Sequence, residues 1–169
     1  MSATVKATAK PKATAKPAGV SANAARKSNP ALKSLLHGLN EDLRGEFQAV
    51  IMYRIYASLV QGPYRQELRT FFANEIPEEL GHAQLLADKI AALGGIPVAE
   101  PAPVRVVTEP RAMLEAALQA ELDTIERYVE RRQEAERAGE HGLAADFDTI
   151  IADESNHRDE LRQMLARWP

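Results

Sequence analysis

The sequence predicts an all-α fold, a four-helix bundle with one long crossover between its second and third helices. Three observations carry this: composition, apolar residues spaced by threes and fours, and an internal repeat. Apolar residues make up 45% of the 169-residue chain and aromatics only 5%. Ala, Leu, Glu and Arg dominate, a balance that favours helix over sheet. The length suits one domain with a real core. The chain has no cysteine, which excludes disulfides, iron–sulfur clusters and thiolate zinc sites. No apolar run approaches the roughly 18 residues of a membrane span, and no secretory leader pattern is found. A cytoplasmic protein without a membrane partner is therefore expected.

Residues 1–29 form a basic Lys/Ala/Pro tail, expected to be disordered. Residues 6–11, Lys-Ala-Thr-Ala-Lys-Pro, recur as 12–17. Such a segment has too few large apolar groups to offset its ordering entropy. It carries Lys6, Lys10, Lys12, Lys16, Arg26 and Lys27 and no acid, a charge of +6. The whole chain is −3, which leaves −9 for residues 30–169.

The folded body is expected over 30–169, starting at Ser28-Asn29-Pro30, a cap followed by a first-turn proline. The first helix runs over about 30–61, with Leu36, Leu39, Leu43, Phe47, Val50 and Tyr53 on its apolar face. Gly62-Pro63 breaks it. The second helix covers about 64–93 and ends at Gly94-Gly95. Pro77 lies inside it at a cost of about 3 kcal/mol; a kink is expected there, because the three-and-four spacing continues through it, with two shorter helices as the alternative. Residues 96–108 hold Pro97, Pro101 and Pro103 and no helical period. They read as an extended crossover, able to span most of a helix at roughly 3.3 Å per residue against 1.5 Å. The third helix starts at 109 or 110 and ends near 138. The fourth covers about 143–167. Short turns make each helix pair an antiparallel hairpin, and the crossover makes the order up-down-down-up.

The two hairpins repeat each other at a shift of 75 positions. Leu39 matches Leu114, Leu43 matches Leu118, Glu46 matches Glu121 and Tyr53 matches Tyr128. In the second helices, Leu68, Phe72, Ile76, Glu79, His82 and Leu86 match Leu143, Phe147, Ile151, Glu154, His157 and Leu161. These positions advance by threes and fours and mark the bundle interior. Four carboxylates and two imidazoles thus sit on apolar faces, with no Arg or Lys among the matched positions. Buried charge of this kind needs a cation, and a pair of divalent metals supplies it.

Glu-x-x-His places both side chains on one face, a turn apart. It occurs at Glu79/His82 and Glu154/His157, each copy 33 residues after a Glu. A lone copy is weak evidence, since a surface ion pair reads the same way. Two copies in register form the di-metal carboxylate pattern of helical bundles. Glu46 and His82 should serve one ion, Glu121 and His157 the other, with Glu79 and Glu154 bridging. Carboxylates and neutral imidazole suit iron and its neighbours, and spacing does not separate iron from manganese. Tyr53 is the candidate catalytic phenol, able to bond a ligating carboxylate; Tyr128 has the same register, and a core aromatic is the plain alternative. His37 and His141 read as surface residues. Glu75, Glu78 and Asp153 read as solvated or supporting groups rather than ligands.

The series Glu46…Tyr53, Glu79-x-x-His82, Glu121 and Glu154-x-x-His157 resembles the ferritin-like di-iron superfamily, bacterioferritin in particular. Residues 39–41, 46–50, 120–123 and 153–157 carry the closest likeness, which spans about 33–165. The resemblance implies two iron ions per subunit, a ferroxidase that oxidises Fe2+ with O2 or H2O2, and storage of ferric mineral in a hollow homo-oligomer. Three features depart from it. Leu80 stands where bacterioferritin has its haem-binding Met, which argues against haem. Only 12 residues follow His157, too few for the fifth helix of 24-subunit shells, so a 12-mer is expected. The tail resembles the DNA-binding extensions of Dps-type mini-ferritins. Rubrerythrin is a further relative, but its cysteine-ligated iron domain is absent and Thr124 replaces its extra Glu. Two other functions stay open: a nucleoid-associated DNA-binding protein with a vestigial metal site, and a rubrerythrin-like or manganese-catalase-like peroxide scavenger.

Overall fold

The computed structural model describes residues 29–168, which four helices dominate. They are α1 (Pro30–Leu59), α2 (Arg65–Ala92), α3 (Pro110–Ala138) and α4 (His141–Leu165). The expected disorder of the basic tail concerns residues outside this range, apart from Asn29. That side chain caps α1, accepting from the Ala31 N–H at 3.0 Å, with Pro30 in the first turn.

Boundaries differ from expectation by a turn or less. Helix α1 ends at Leu59 rather than 61, because Val60 is already extended and Gly62 takes φ 95°. Helix α4 begins at His141, earlier than 143. Gly139 adopts φ 78°, a left-handed turn that closes α3 within one residue. The chain restarts as helix at once, and the Ala144 N–H reaches the Glu140 carbonyl at 3.1 Å. Helix α2 continues through Pro77 as a single helix, so the two-helix alternative does not hold.

Helices α1 and α2 pack as one hairpin, α3 and α4 as the other, and α1 lies against α3 between them. The crossover follows α1 along its length. The Val98 N–H donates to Asn40 Oδ1 at 2.9 Å and the Ala102 N–H to the Arg44 carbonyl at 2.9 Å. Further on, the Tyr56 hydroxyl donates to the Arg105 carbonyl at 2.6 Å. These contacts carry the chain from the end where α2 stops to the end where α3 starts.

Almost every matched position of the repeat is buried; Leu118 and Ile151 are half-buried. Leu36, Phe47 and Val50, expected on the core face, are half-buried too, and Leu35, Met52 and Tyr56 fill the core instead. The core is split in two. One apolar cluster gathers Leu35, Leu39, Leu86, Ile90 and Phe147. The other gathers Met52, Tyr56, Phe72, Met113 and Leu161. Burying each such side chain contributes about 1.5–3 kcal/mol. Between the clusters lies a layer of carboxylates and imidazoles.

Candidate metal centre

Each helix brings its share of that layer: Glu46 from α1, Glu79 and His82 from α2, Glu121 from α3, Glu154 and His157 from α4. All six are between 0% and 8% exposed. Their donor atoms fall into two groups, each converging within 4.8 Å. One is Glu46, Glu79, His82 and Glu154; the other is Glu79, Glu121, Glu154 and His157. Glu79 and Glu154 belong to both.

Whether these residues fit a pair of cations can be read from their hydrogen bonding. Glu46 Oε2, Glu79 Oε1, Glu154 Oε1 and His82 Nδ1 are buried without a hydrogen-bond partner. His82 Nδ1 and Glu154 Oε1 stand 3.0 Å apart, yet too far out of line to bond. Leaving one buried polar group unsatisfied costs about 1–3 kcal/mol, so a cluster of such atoms is expensive unless an ion satisfies them. The donor set, carboxylate oxygen with imidazole nitrogen, suits such ions.

The groups behind the cluster follow the same two-fold pattern. The Tyr53 hydroxyl donates to Glu121 Oε1, and the Tyr128 hydroxyl donates to Glu46 Oε1. Each tyrosine thus holds a carboxylate of the other hairpin. Both histidines turn Nδ1 inward and Nε2 outward. His157 Nε2 lies 3.0 Å from Glu78 and 3.2 Å from Glu75. His82 Nε2 lies 3.8 Å from Asp153. The Glu78 carboxylate, in hydrogen-bond contact with the outer nitrogen of His157, favours the tautomer that turns Nδ1 toward a metal, while Asp153 is only in ion-pair range of His82. Glu75, Glu78 and Asp153 therefore support the cluster, as expected, while His37 and His141 are exposed.

The electrostatics reflect this crowding. Burial, reinforced by the Glu154 charge, pushes the Glu46 carboxyl up to about 7. Burial ahead of neighbouring carboxylates holds Glu79 and Glu121 well above the usual range. Glu154 goes the other way: burial would raise it, but its contacts with His157 and His82 outweigh that and hold it at about 2. His157 is pushed up to about 10, its contacts with Glu154 and Glu75 outweighing burial. Burial raises both phenols, so Tyr53 and Tyr128 stay protonated donors. Dications among these groups would stabilise all four carboxylates as anions and release protons.

One charged cluster has no counterpart in the repeat. Asp42 is fully buried and accepts from Arg131 Nε at 2.7 Å, and Arg131 also donates to Glu134. Burial pushes the Asp42 carboxyl up despite the nearby arginines. A Cβ on Gly38 would meet the Arg131 guanidinium at 1.8 Å, so that glycine makes its seat. The 75-residue register passes over this cluster, since the equivalents of Asp42 and Arg131 are Ala117 and Tyr56.

A four-helix bundle with duplicated Glu and Glu-x-x-His groups meeting at its centre defines the di-metal carboxylate class. A family model described as the ferritin-like domain matches residues 36–169. The chain belongs to that ferritin-like di-iron superfamily. Bacterioferritin of Streptomyces coelicolor is 33% identical over 129 residues, 75% of this chain and 77% of that protein. A ferritin-like, diiron-carboxylate protein of Bacillus anthracis superposes with TM-score 0.80 at 45% identity, covering 81% of this chain and 99% of the other. A dodecameric thioferritin, the bacterioferritin-related protein of Bacteroides fragilis, superposes with TM-score 0.74 at 26% identity, covering 86% and 92%. Among the described residues, no helix is long and apolar enough to cross a membrane.

Proposed function

We propose that this chain is an iron-storage and detoxification protein, a ferroxidase that oxidises Fe2+ with O2 or H2O2. The observation that carries this is the pair of converging four-residue groups sharing Glu79 and Glu154. Two adjacent Fe2+ supply two electrons at once, enough to take O2 to H2O2 or H2O2 to water. Glu46 with His82, and Glu121 with His157, would each hold one ion from a single hairpin. Glu79 and Glu154 would hold both. Tyr128 and Tyr53 fix the orientation of Glu46 and Glu121 by donating to them. Tyr53 is the proposed catalytic phenol. Leu80 is half exposed at the position expected for a haem ligand, and its side chain offers iron no donor, so haem has no part in the proposal.

The test loads the metal-free protein with Fe2+ under anaerobic conditions, then admits O2 or H2O2 and follows near-ultraviolet absorbance. Oxidation no faster than in a Glu79→Ala, Glu154→Ala double variant sinks the reading. Metal analysis of the purified protein separates iron from manganese, and with it the peroxide-scavenger alternative.

The assembly is proposed to be a dodecamer, as the Bacteroides relative is. Exposed Ile51, Leu59, Leu80 and Val129 on the helices favour burial between subunits. Native mass spectrometry decides between a dimer, 12 and 24. DNA binding through residues 1–29 is a separable proposal, carried by their +6 charge, which suits phosphates without needing a fold. Gel shifts of the full chain and of 30–169 at several salt concentrations test it. Equal affinity with and without the tail rules it out.

A further inference from the structure

A small cavity opens between α1 and α3 and reaches Glu79 and Glu121. Its walls are pairs of residues 75 apart: Gln48 with Asp123, Ala49 with Thr124, Met52 with Arg127. The opening therefore lies on the internal two-fold of the bundle, between the two half-sites. Its volume of about 50 Å3 is several times what one water needs and far below that of an organic-ligand pocket. It suits an ion with a few waters.

None of these pairs is identical, and Met52 with Arg127 differs most in size and charge. Met52 is buried in the core, while Arg127 leans across the opening. Arg127 Nη2 donates to Thr124 Oγ1 at 2.9 Å, and a Cβ on Gly45 would meet that nitrogen at 2.7 Å. The missing side chain of Gly45 is what lets the guanidinium lie there. A fixed positive charge at this point opposes a dication entering. Arg127 also has a second seat. Its Nε is buried without a hydrogen-bond partner, and so is Asp42 Oδ1, 3.7 Å away. A short swing of the side chain would join these two atoms and draw the guanidinium toward Asp42.

We infer that Arg127 is a gate on this opening, closed over Gly45 and Thr124 and open against Asp42, controlling cation entry to Glu79 and Glu121. Asp123, exposed at the mouth and held by Gln119 at 2.7 Å, collects the incoming cation. Gate and collector both come from α3, so the second hairpin controls entry for both half-sites. The inference rests on the six-residue cluster being a divalent-ion site.

The test uses the full-length, metal-free protein and Co2+, with no oxidant. Stopped-flow visible absorbance reads the rate of filling, and its end point reads stoichiometry. Arg127→Met, which makes this one pair identical, should fill several-fold faster than the parent to the same stoichiometry. Gly45→Ala should do the same by displacing the guanidinium. It lies inside a helix, where Ala is the better former, so it keeps the fold if Arg127→Met does not. Asp123→Asn should fill several-fold more slowly. Equal rates in all four proteins at full stoichiometry overturn the gate and leave the metal centre standing. Co2+ uptake unchanged in the Glu79→Ala, Glu154→Ala variant overturns the centre, and the gate with it.

Discussion

The hairpin of α1 and α2 and the hairpin of α3 and α4 carry the same candidate ligands, the same tyrosine and the same Glu-x-x-His turn, yet their surroundings differ. Where the second hairpin has Arg127 and Arg131, the first has Met52 and Tyr56. Where the first has Asp42 and Glu75, the second has Ala117 and Ile150. The repeated residues meet on the two-fold and build the centre. The unrepeated ones set its charge balance: Arg131 partners buried Asp42, and Glu75 backs the outer nitrogen of His157. Duplication supplies two half-sites, and divergence supplies the differences in support and access between them.

The largest test of this comparison sets shared against unshared ligands. Glu79→Ala or Glu154→Ala should remove Co2+ from both half-sites, since each belongs to both groups. His82→Ala or His157→Ala should halve the stoichiometry and leave the opposite half-site filled. Titration followed by visible absorbance reads this. If a single histidine variant loses both ions, the half-sites are not separable.

Next in size is pH. Burial pushes the Glu46 carboxyl up to about 7 in the folded chain, from an ordinary value of 4.5. The folded state holds the extra proton between those values, so stability falls as pH rises through them. His157 has the same sign, about 10 folded against 6.5, so its contribution is complete below 6.5 and lost as pH rises through 10. Metal-free protein should therefore lose stability steadily between about pH 5 and about pH 9. Co2+-loaded protein should show the opposite slope over the Glu46 range, because the ion needs the carboxylate charged. Urea denaturation at several pH values reads both, and a metal-free stability that rises with pH contradicts the arrangement.

The unrepeated ion pair comes third. Asp42→Ala takes one partner from buried Arg131, which keeps Glu134, and should cost about 3 kcal/mol. A loss below about 1 kcal/mol in denaturant unfolding would make the pair incidental to the fold.

The smallest effect separates the tyrosines. Tyr53→Phe and Tyr128→Phe should each weaken Co2+ binding about tenfold, since each frees one ligating carboxylate. If Tyr53 alone is the reactive phenol, only Tyr53→Phe will also slow Fe2+ oxidation beyond the change in affinity. Equal slowing in both variants removes that distinction.

Some of this was open to reading from the chain and some was not. The helices follow from apolar spacing, and their ends from Gly62, Gly94 and Gly139. The six candidate ligands follow from the repeat, because a face that is otherwise Leu, Phe and Ile has no local reason to carry four glutamates. The sequence places the start of α4 at about 143, yet the tight turn at Gly139 lets helix resume at His141. Buried Arg131 is not legible from the repeat, because its equivalent is Tyr56 and it falls outside the matched positions.

The sequence by itself determined four amphipathic helices, their pairing into two related hairpins, and which six side chains share the interior. Helical periodicity and duplication are local properties, and both are written in residue spacing. Only the tertiary structure decided that Tyr53 reaches Glu121 and Tyr128 reaches Glu46, that Glu78 and Asp153 back the histidines of the opposite hairpin, and that Arg127 lies over Gly45. Those are contacts between chain-distant residues. They depend on how one helix is rotated and shifted against another, which no spacing within a single helix specifies.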